Sequence, residues 1–189
     1  MSRQKILDAA ASVFSKSGYH RTSMDEIANA AGVAKGTLYY NFPGKSQLFK
    51  ALVTEGLDFI IGEIQKEINN NQPIDEQLKK VLDKNIDLYL QYDELASIFL
   101  NEITNGLDEE TISDISKMKE KYLKFIADLL REGNKYGIVS SANYELAAAG
   151  IVGMLDSLCK YYLKNKDRLN SAEIRDFMFN IISLGLINK

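Results

Sequence analysis

The chain has 189 residues, of which 46% are hydrophobic and 26% charged, with a formal net charge of −3; this is the make-up of a globular chain with apolar mass for one large domain or two small ones. Two prolines and twelve glycines punctuate it too rarely for an all-β sandwich, while one cysteine and one histidine exclude an internal disulfide framework, a CxxC motif and a His-based zinc site. The longest apolar run, Leu146 to Leu155, stops at Asp156 well short of a bilayer's thickness, and Asp8 interrupts the first residues before a signal peptide's apolar stretch develops. An all-α cytoplasmic protein, with no metal, cofactor or membrane span, is expected.

In chain order, Ile6, Ala9, Ala10, Val13 and Phe14 form one helical stripe, so a first helix is expected over 3–17, closed by a left-handed Gly18. Ser23 and Glu26 are spaced as a capping box that opens a short second helix, which Gly32 stops near 31. A third short helix follows over 34–40, with Val33 and Leu38 buried against the second. Asn41, Phe42, Pro43 and Gly44 break the pattern before a long helix over 45–69. Two short helices around a glycine turn make either a helix-turn-helix or an ordinary helical hairpin, and the spacing alone leaves both open.

The remaining chain reads as long helices with few breakers: 74–92, 93–105 capped by Asp93, 109–136 closed by Gly137, 143–165, and a last one to 187 capped by Ser171. The helix over 143–165 is rich in small residues, Ala147, Ala148, Ala149, Gly150 and Gly153, which suits a helix–helix interface or tight packing within one subunit. In the last helix Ile174, Phe177, Met178, Ile181, Ile182 and Gly185 fall at i, i+3, i+4, i+7, i+8 and i+11, a broad packing face. Charge is divided unevenly: residues 1–50 carry seven basic and three acidic side chains, a balance of +4, leaving −7 for the rest. A basic N-terminal quarter on an acidic whole suits a segment facing a polyanion.

The segment from Gly18 to Phe49, GYHRTSMDEIANAAGVAKGTLYYNFPGKSQLF, resembles the DNA-binding domain of the TetR family of transcriptional regulators, most specifically over IANAAGVAKGTLYYNFPGKSQL. The resemblance implies an all-α fold of about nine helices. A three-helix helix-turn-helix domain at 1–46 would precede a helical bundle at 47–189 for ligand binding and dimerisation. It places Lys35, Gly36 and Thr37 at the start of a recognition helix in the major groove, with Tyr39 and Tyr40 behind them. Phosphate contacts fall to Thr22, Ser23, Asn41 and Lys45, although Ser23 is first a helix cap. Asn41 stands where the family more often has His, and Ala34 where it usually has a capping Ser or Thr.

The same resemblance implies a homodimer paired through its last two helices, to which Ala149, Gly153, Asp156, Phe177 and Ile181 are assigned. It also implies a double-stranded DNA operator as partner, and a small-molecule inducer in a pocket that Phe59, Tyr89, Tyr92, Phe99, Asn101, Glu102, Tyr122 and Phe125 would line. For any single aromatic, plain core packing is the competing assignment. Asp156 is read as a helix–helix or interface hydrogen bond, Cys159 as a small buried hydrophobe, and His20 as a surface residue. Ligand-responsive repression is the leading function. A partner-binding relative such as a nucleoid-occlusion factor is the alternative. An enzyme is not expected, since no acid, base and nucleophile set converges.

Overall fold

The computed structural model describes residues 2–68, 73–93, 107–140 and 143–186. Eight helices occupy them: α1 Ser2–Arg21, α2 Met24–Ala31, α3 Lys35–Asn41, α4 Lys45–Gln65, α5 Ile74–Gln91, α6 Glu109–Lys135, α7 Tyr144–Lys164 and α8 Ser171–Leu186. The helix expected over 93–105 lies almost wholly outside the described residues. The chain divides into two compact units, Met1–Phe59 with Tyr92–Lys119, and Ile60–Gln91 with Glu120–Lys189. Helices α4 and α6 therefore each contribute residues to both.

In the first unit α1 packs on α2 and α3. Its buried stripe is Ile6, Leu7, Ala10 and Phe14, whereas Ala9 and Val13 are only half-buried, so the apolar face is rotated slightly from the one expected. Gly18 is not the expected left-handed cap. Its φ of 76° and ψ of 160° form a kink that L side chains rarely adopt, and helical structure resumes beyond it to Arg21. The kink returns Tyr19 to the core, where its ring stacks on Phe14 at 5.7 Å and meets Phe49 edge-on at 5.1 Å. Asp108 caps α6 by accepting the Thr111 N–H at 2.8 Å, and the Ser46 hydroxyl of α4 donates to the same carboxylate. These donors hold the Asp108 carboxyl down to about 2.

α4 ends at Gln65, not 69, because the chain tightens into turn bonds from Glu67 N–H to the Ile64 carbonyl and from Ile68 N–H to the Gln65 carbonyl. In the second unit α7 and α8 pack on each other and both pack on α5. Ile86, Val139, Ala148, Cys159 and Met178 are fully buried. Arg175 of α8 bridges to α5, donating to the Asp83 carbonyl at 3.0 Å and the Asp87 carboxylate at 2.5 Å. Gly137 closes α6 as expected: at φ 72° it lets its own N–H reach the Asn134 carbonyl and that of Ile138 reach Gly133. The last helix departs from expectation at its start. Asn170 caps it, not Ser171, because the Asn170 Oδ1 accepts the Glu173 N–H at 3.0 Å while the Glu173 carboxylate accepts the Asn170 N–H at 2.7 Å.

Candidate nucleic-acid interface and ligand cavity

The turn between α2 and α3 is built by its sequence. Ser23 Oγ accepts the Glu26 N–H at 3.2 Å and the Glu26 carboxylate accepts the Ser23 N–H at 2.7 Å, closing the capping box and holding the Glu26 carboxyl below its usual range. Gly32 is left-handed at φ 63°, ψ 36°, and Val33 N–H then returns to the Ala28 carbonyl at 3.0 Å. Leu38 is fully buried, while Val33 is only half-buried. Ala34 starts α3 with no side-chain cap, as its methyl dictates.

An open depression of about 320 Å³ brings together Thr22, Ser23, Lys35, Tyr39 and Lys45 of the nine expected DNA contacts, with Met24 and Asp25 beside them. Tyr40 stands out from α3 at 90% exposure and Gly36 faces open space. Lys35 is exposed but bound, its ammonium lying 2.8 and 2.9 Å from the two Asp25 oxygens, which holds it protonated to higher pH. Asp25 was not among the expected site residues. Its place in the first turn of α2, opposite the first residue of α3, is the signal that identifies it.

Thr37 is half-buried, and Asn41 is bonded back onto it, Nδ2 donating to the Thr37 carbonyl at 2.7 Å. Thr22 is buried and its hydroxyl donates to the Gly18 carbonyl at 2.8 Å. Lys45 is half-buried and bonded to the chain itself: Nζ lies 2.8, 3.3 and 2.9 Å from the carbonyl oxygens of Tyr19, His20 and Thr22.

In the second unit α5, α6, α7 and α8 line a partly open cavity of about 50 Å³, its wall among the described residues apolar except for Asn85 and Tyr122. Tyr122 donates its hydroxyl to the Asn85 Oδ1, and the Asn85 Nδ2 donates to the Val81 carbonyl at 2.9 Å. Burial pushes the Tyr122 phenol well above its usual range. Among the described residues, Tyr122 is the only expected pocket residue on this wall. On α6 the lining positions are Tyr122, Ile126, Leu129 and Leu130, a four-then-three spacing that leaves Phe125 off the stripe. Tyr89 bonds to Asp156 at 2.7 Å, and Phe59 meets Tyr92 edge-on at 5.5 Å in the first unit. Phe99, Asn101 and Glu102 lie outside the described residues. Asn85, absent from the expected set, is recognisable as an amide within the apolar stripe Val81, Leu82, Ile86.

α7 and α8 also expose an apolar face. Leu146 is 71% exposed, Phe177 53%, Ile181 41% and Leu184 77%, with Ala149 and Gly153 open beside them. Leu146 and Leu184 extend the expected set at the same helical spacing. Asp156 makes a helix–helix hydrogen bond, as read from the sequence, its carboxylate accepting the Tyr89 hydroxyl of α5 at 2.7 Å and pairing with Lys160 at 2.8 Å. By length and composition α7 is the one described helix able to cross a membrane, which the ten-residue run Leu146–Leu155 alone understates. Cys159 is buried, and desolvation with the nearby Asp156 pushes its thiol up to about 12. Among the described residues no His, Cys, Asp and Glu cluster is arranged to hold a metal.

Residues 6–52 match the family model for bacterial regulatory proteins of the tetR family, and residues 71–186 that for the tetracyclin repressor-like C-terminal domain. The chain is 26% identical over 186 residues to the fatty acid metabolism regulator protein of Bacillus subtilis (strain 168), covering 98% of this chain and 95% of that one. The transcriptional regulator FadR from Bacillus subtilis, solved in complex with stearoyl-CoA, superposes with a TM-score of 0.82 at 25% identity, over 96% of this chain and 98% of that one. AibR, solved in complex with isovaleryl coenzyme A and operator DNA, gives 0.79 at 26% identity, over 96% and 97%. With a capped helix-turn-helix inside the first match and an apolar cavity inside the second, which alone spans more than half of the sequence, the chain belongs to the tetR family and is a ligand-responsive, DNA-binding transcriptional regulator, not an enzyme.

Proposed function

We propose that the protein is a homodimeric cytoplasmic repressor that holds a palindromic operator and is released from it by an acyl-coenzyme A thioester. Residues 1–46 would bind DNA, with Lys35, Gly36, Thr37, Tyr39 and Tyr40 of each α3 at one major groove. Residues 47–189 would carry the inducer site and, through Ala149, Gly153, Phe177 and Ile181, the dimer contact. Two half-sites about 34–36 Å apart need two recognition helices, which one chain does not supply.

The observation that carries the choice of inducer is the apolar cavity walled by α5 to α8, within a fold shared with relatives solved holding acyl-coenzyme A molecules. At about 50 Å³ it is far smaller than the ~300–1,000 Å³ of ordinary ligand pockets, so the acyl chain enters by separating helices, and the closed form is the DNA-binding one. A coupling of about 1–3 kcal/mol between sites would weaken DNA binding about 5–150-fold.

Selecting genomic fragments on the purified protein supplies the operator, and its release by thioesters of increasing chain length tests the inducer. Each added methylene should lower the half-release concentration about fourfold, at about 0.8 kcal/mol, until the cavity is filled, with free coenzyme A inactive. Release by no thioester at any length refutes this inducer class. Retention of DNA without a palindrome refutes the operator proposal.

A further inference from the structure

The geometry points to Lys45 as a positioning residue that fixes the α1–α2 junction through its hydrogen bonds to the protein's own carbonyls, in place of the phosphate contact its sequence position suggests; this rests on the DNA-binding function. Lys45 is the first residue of α4, yet its ammonium sits among the carbonyls of Tyr19, His20 and Thr22, 23 to 26 residues earlier in the chain. An ammonium carries three N–H donors and no more, and three acceptors use them all. The Tyr19 ring adds a cation–π contact, its centroid 4.5 Å from Nζ.

These acceptors lie where the chain needs a cation. Tyr19 and His20 close α1 beyond the Gly18 kink, where carbonyls have no partner one turn further on. Thr22 immediately precedes Ser23, the cap on which α2 is built. The lysine therefore ties the start of α4 to the start of α2, and α2 carries α3 through the Gly32 turn. Its contribution to DNA binding comes through the orientation of α2 and α3.

Arginine separates the two roles. A guanidinium serves a phosphate at least as well as an ammonium does, but its planar fork does not offer three donors from one point to three converging carbonyls. The full-length chain is compared with Lys45→Met and Lys45→Arg on the duplex that the wild type retains most tightly from its genome. If Lys45 is a positioning residue, both variants bind about tenfold or more weaker across all sequences. The slope of log K against log salt then stays unchanged, and the amides of residues 19–27 exchange hydrogen at least about tenfold faster.

The proposal is overturned if Lys45→Met lowers the slope by about 0.9 per subunit while Lys45→Arg restores affinity and the amides keep their protection. Should Lys45→Met not fold, the affinity and amide exchange of Lys45→Arg decide alone. If the wild type retains no duplex, the DNA-binding function fails; exchange at residues 19–27 then decides, faster in the variants for the proposal and unchanged against it.

Discussion

Gly133 and Val139 offer a test in which two opposed effects of one methyl group change sign with the neighbour. A Cβ added at Gly133, in the last turn of α6, would lie 2.7 Å from Val139 Cγ2 and 3.7 Å from Leu78 Cδ1. Val139 is fully buried and β-branched, so its methyl cannot swing away without displacing a packed neighbour. Alanine in place of a helical glycine gains about 0.8–1 kcal/mol from propensity, whereas overpacking of this kind costs about 1–3 kcal/mol. Gly133→Ala is therefore expected to destabilise by up to about 2 kcal/mol. In a Val139→Ala background the nearest remaining atom is the residue-139 Cβ at 3.4 Å, an ordinary contact, and the same substitution should stabilise by about 1 kcal/mol. Gly62→Ala, whose added carbon meets nothing within 4 Å, is the control and should stabilise by about 0.5–1 kcal/mol. Urea unfolding followed by far-ultraviolet circular dichroism, at one fixed chain concentration, gives the free energies of the wild type and the four variants. A Gly133→Ala chain as stable as Gly62→Ala, with no coupling to Val139, would refute the packing around the end of α6.

Gly153 faces open space on α7, so Gly153→Phe should leave the single chain folded but abolish the proposed dimer in analytical ultracentrifugation; an intact dimer would assign the small-residue stripe to packing within one chain. Lys35→Ala should change the ranking of operator bases by about 1–3 kcal/mol at one position in a binding-selection assay, whereas a uniform loss would demote Lys35 to a positioning contact. The Asp108 carboxyl is depressed from 3.8 to about 2, so its contribution is present above pH 3.8 and lost as pH falls through 2. The stability gap between wild type and Asp108→Asn should close over that interval, and a gap constant from pH 5 to about 2 would exclude the carboxylate as its source. The Cys159 thiol, buried and held at about 12, should react with a thiol reagent only as the chain unfolds; fast labelling of the native protein would contradict its burial.

Much of the architecture was legible because the signals are local. Ser23 with Glu26, Gly32 and Gly137 each satisfy the backbone groups at a helix end, and their positions needed no tertiary information. Gly18 misled for a related reason: a glycine advertises a positive φ but not the accompanying ψ, and here ψ sends Tyr19 back into the aromatic cluster of Phe14 and Phe49. Asn170 and Ser171 are both good caps, and the reach of Glu173 decides between them. The site was less legible. Which aromatic faces the cavity depends on helix rotation, and an error of one residue, about 100°, replaces Ile126 by Phe125. The partners of Lys35 and Lys45 were invisible because a charge in a sequence shows no direction: one lysine meets a carboxylate across the turn, the other three carbonyls behind it.

If the uncovered face of α7 and α8 pairs two copies as proposed, the cell's supply of this chain becomes a variable in its output. A face carrying Leu146, Phe177, Ile181 and Leu184 gains by burial against a second copy, and in the proposed dimer only the paired form spans two half-sites. Below the dimerisation constant, paired chains grow as the square of the total. Halving synthesis would then cut the paired form, and with it the occupancy of an unsaturated operator, by nearly four, and dilution at cell division would weaken silencing without any metabolite.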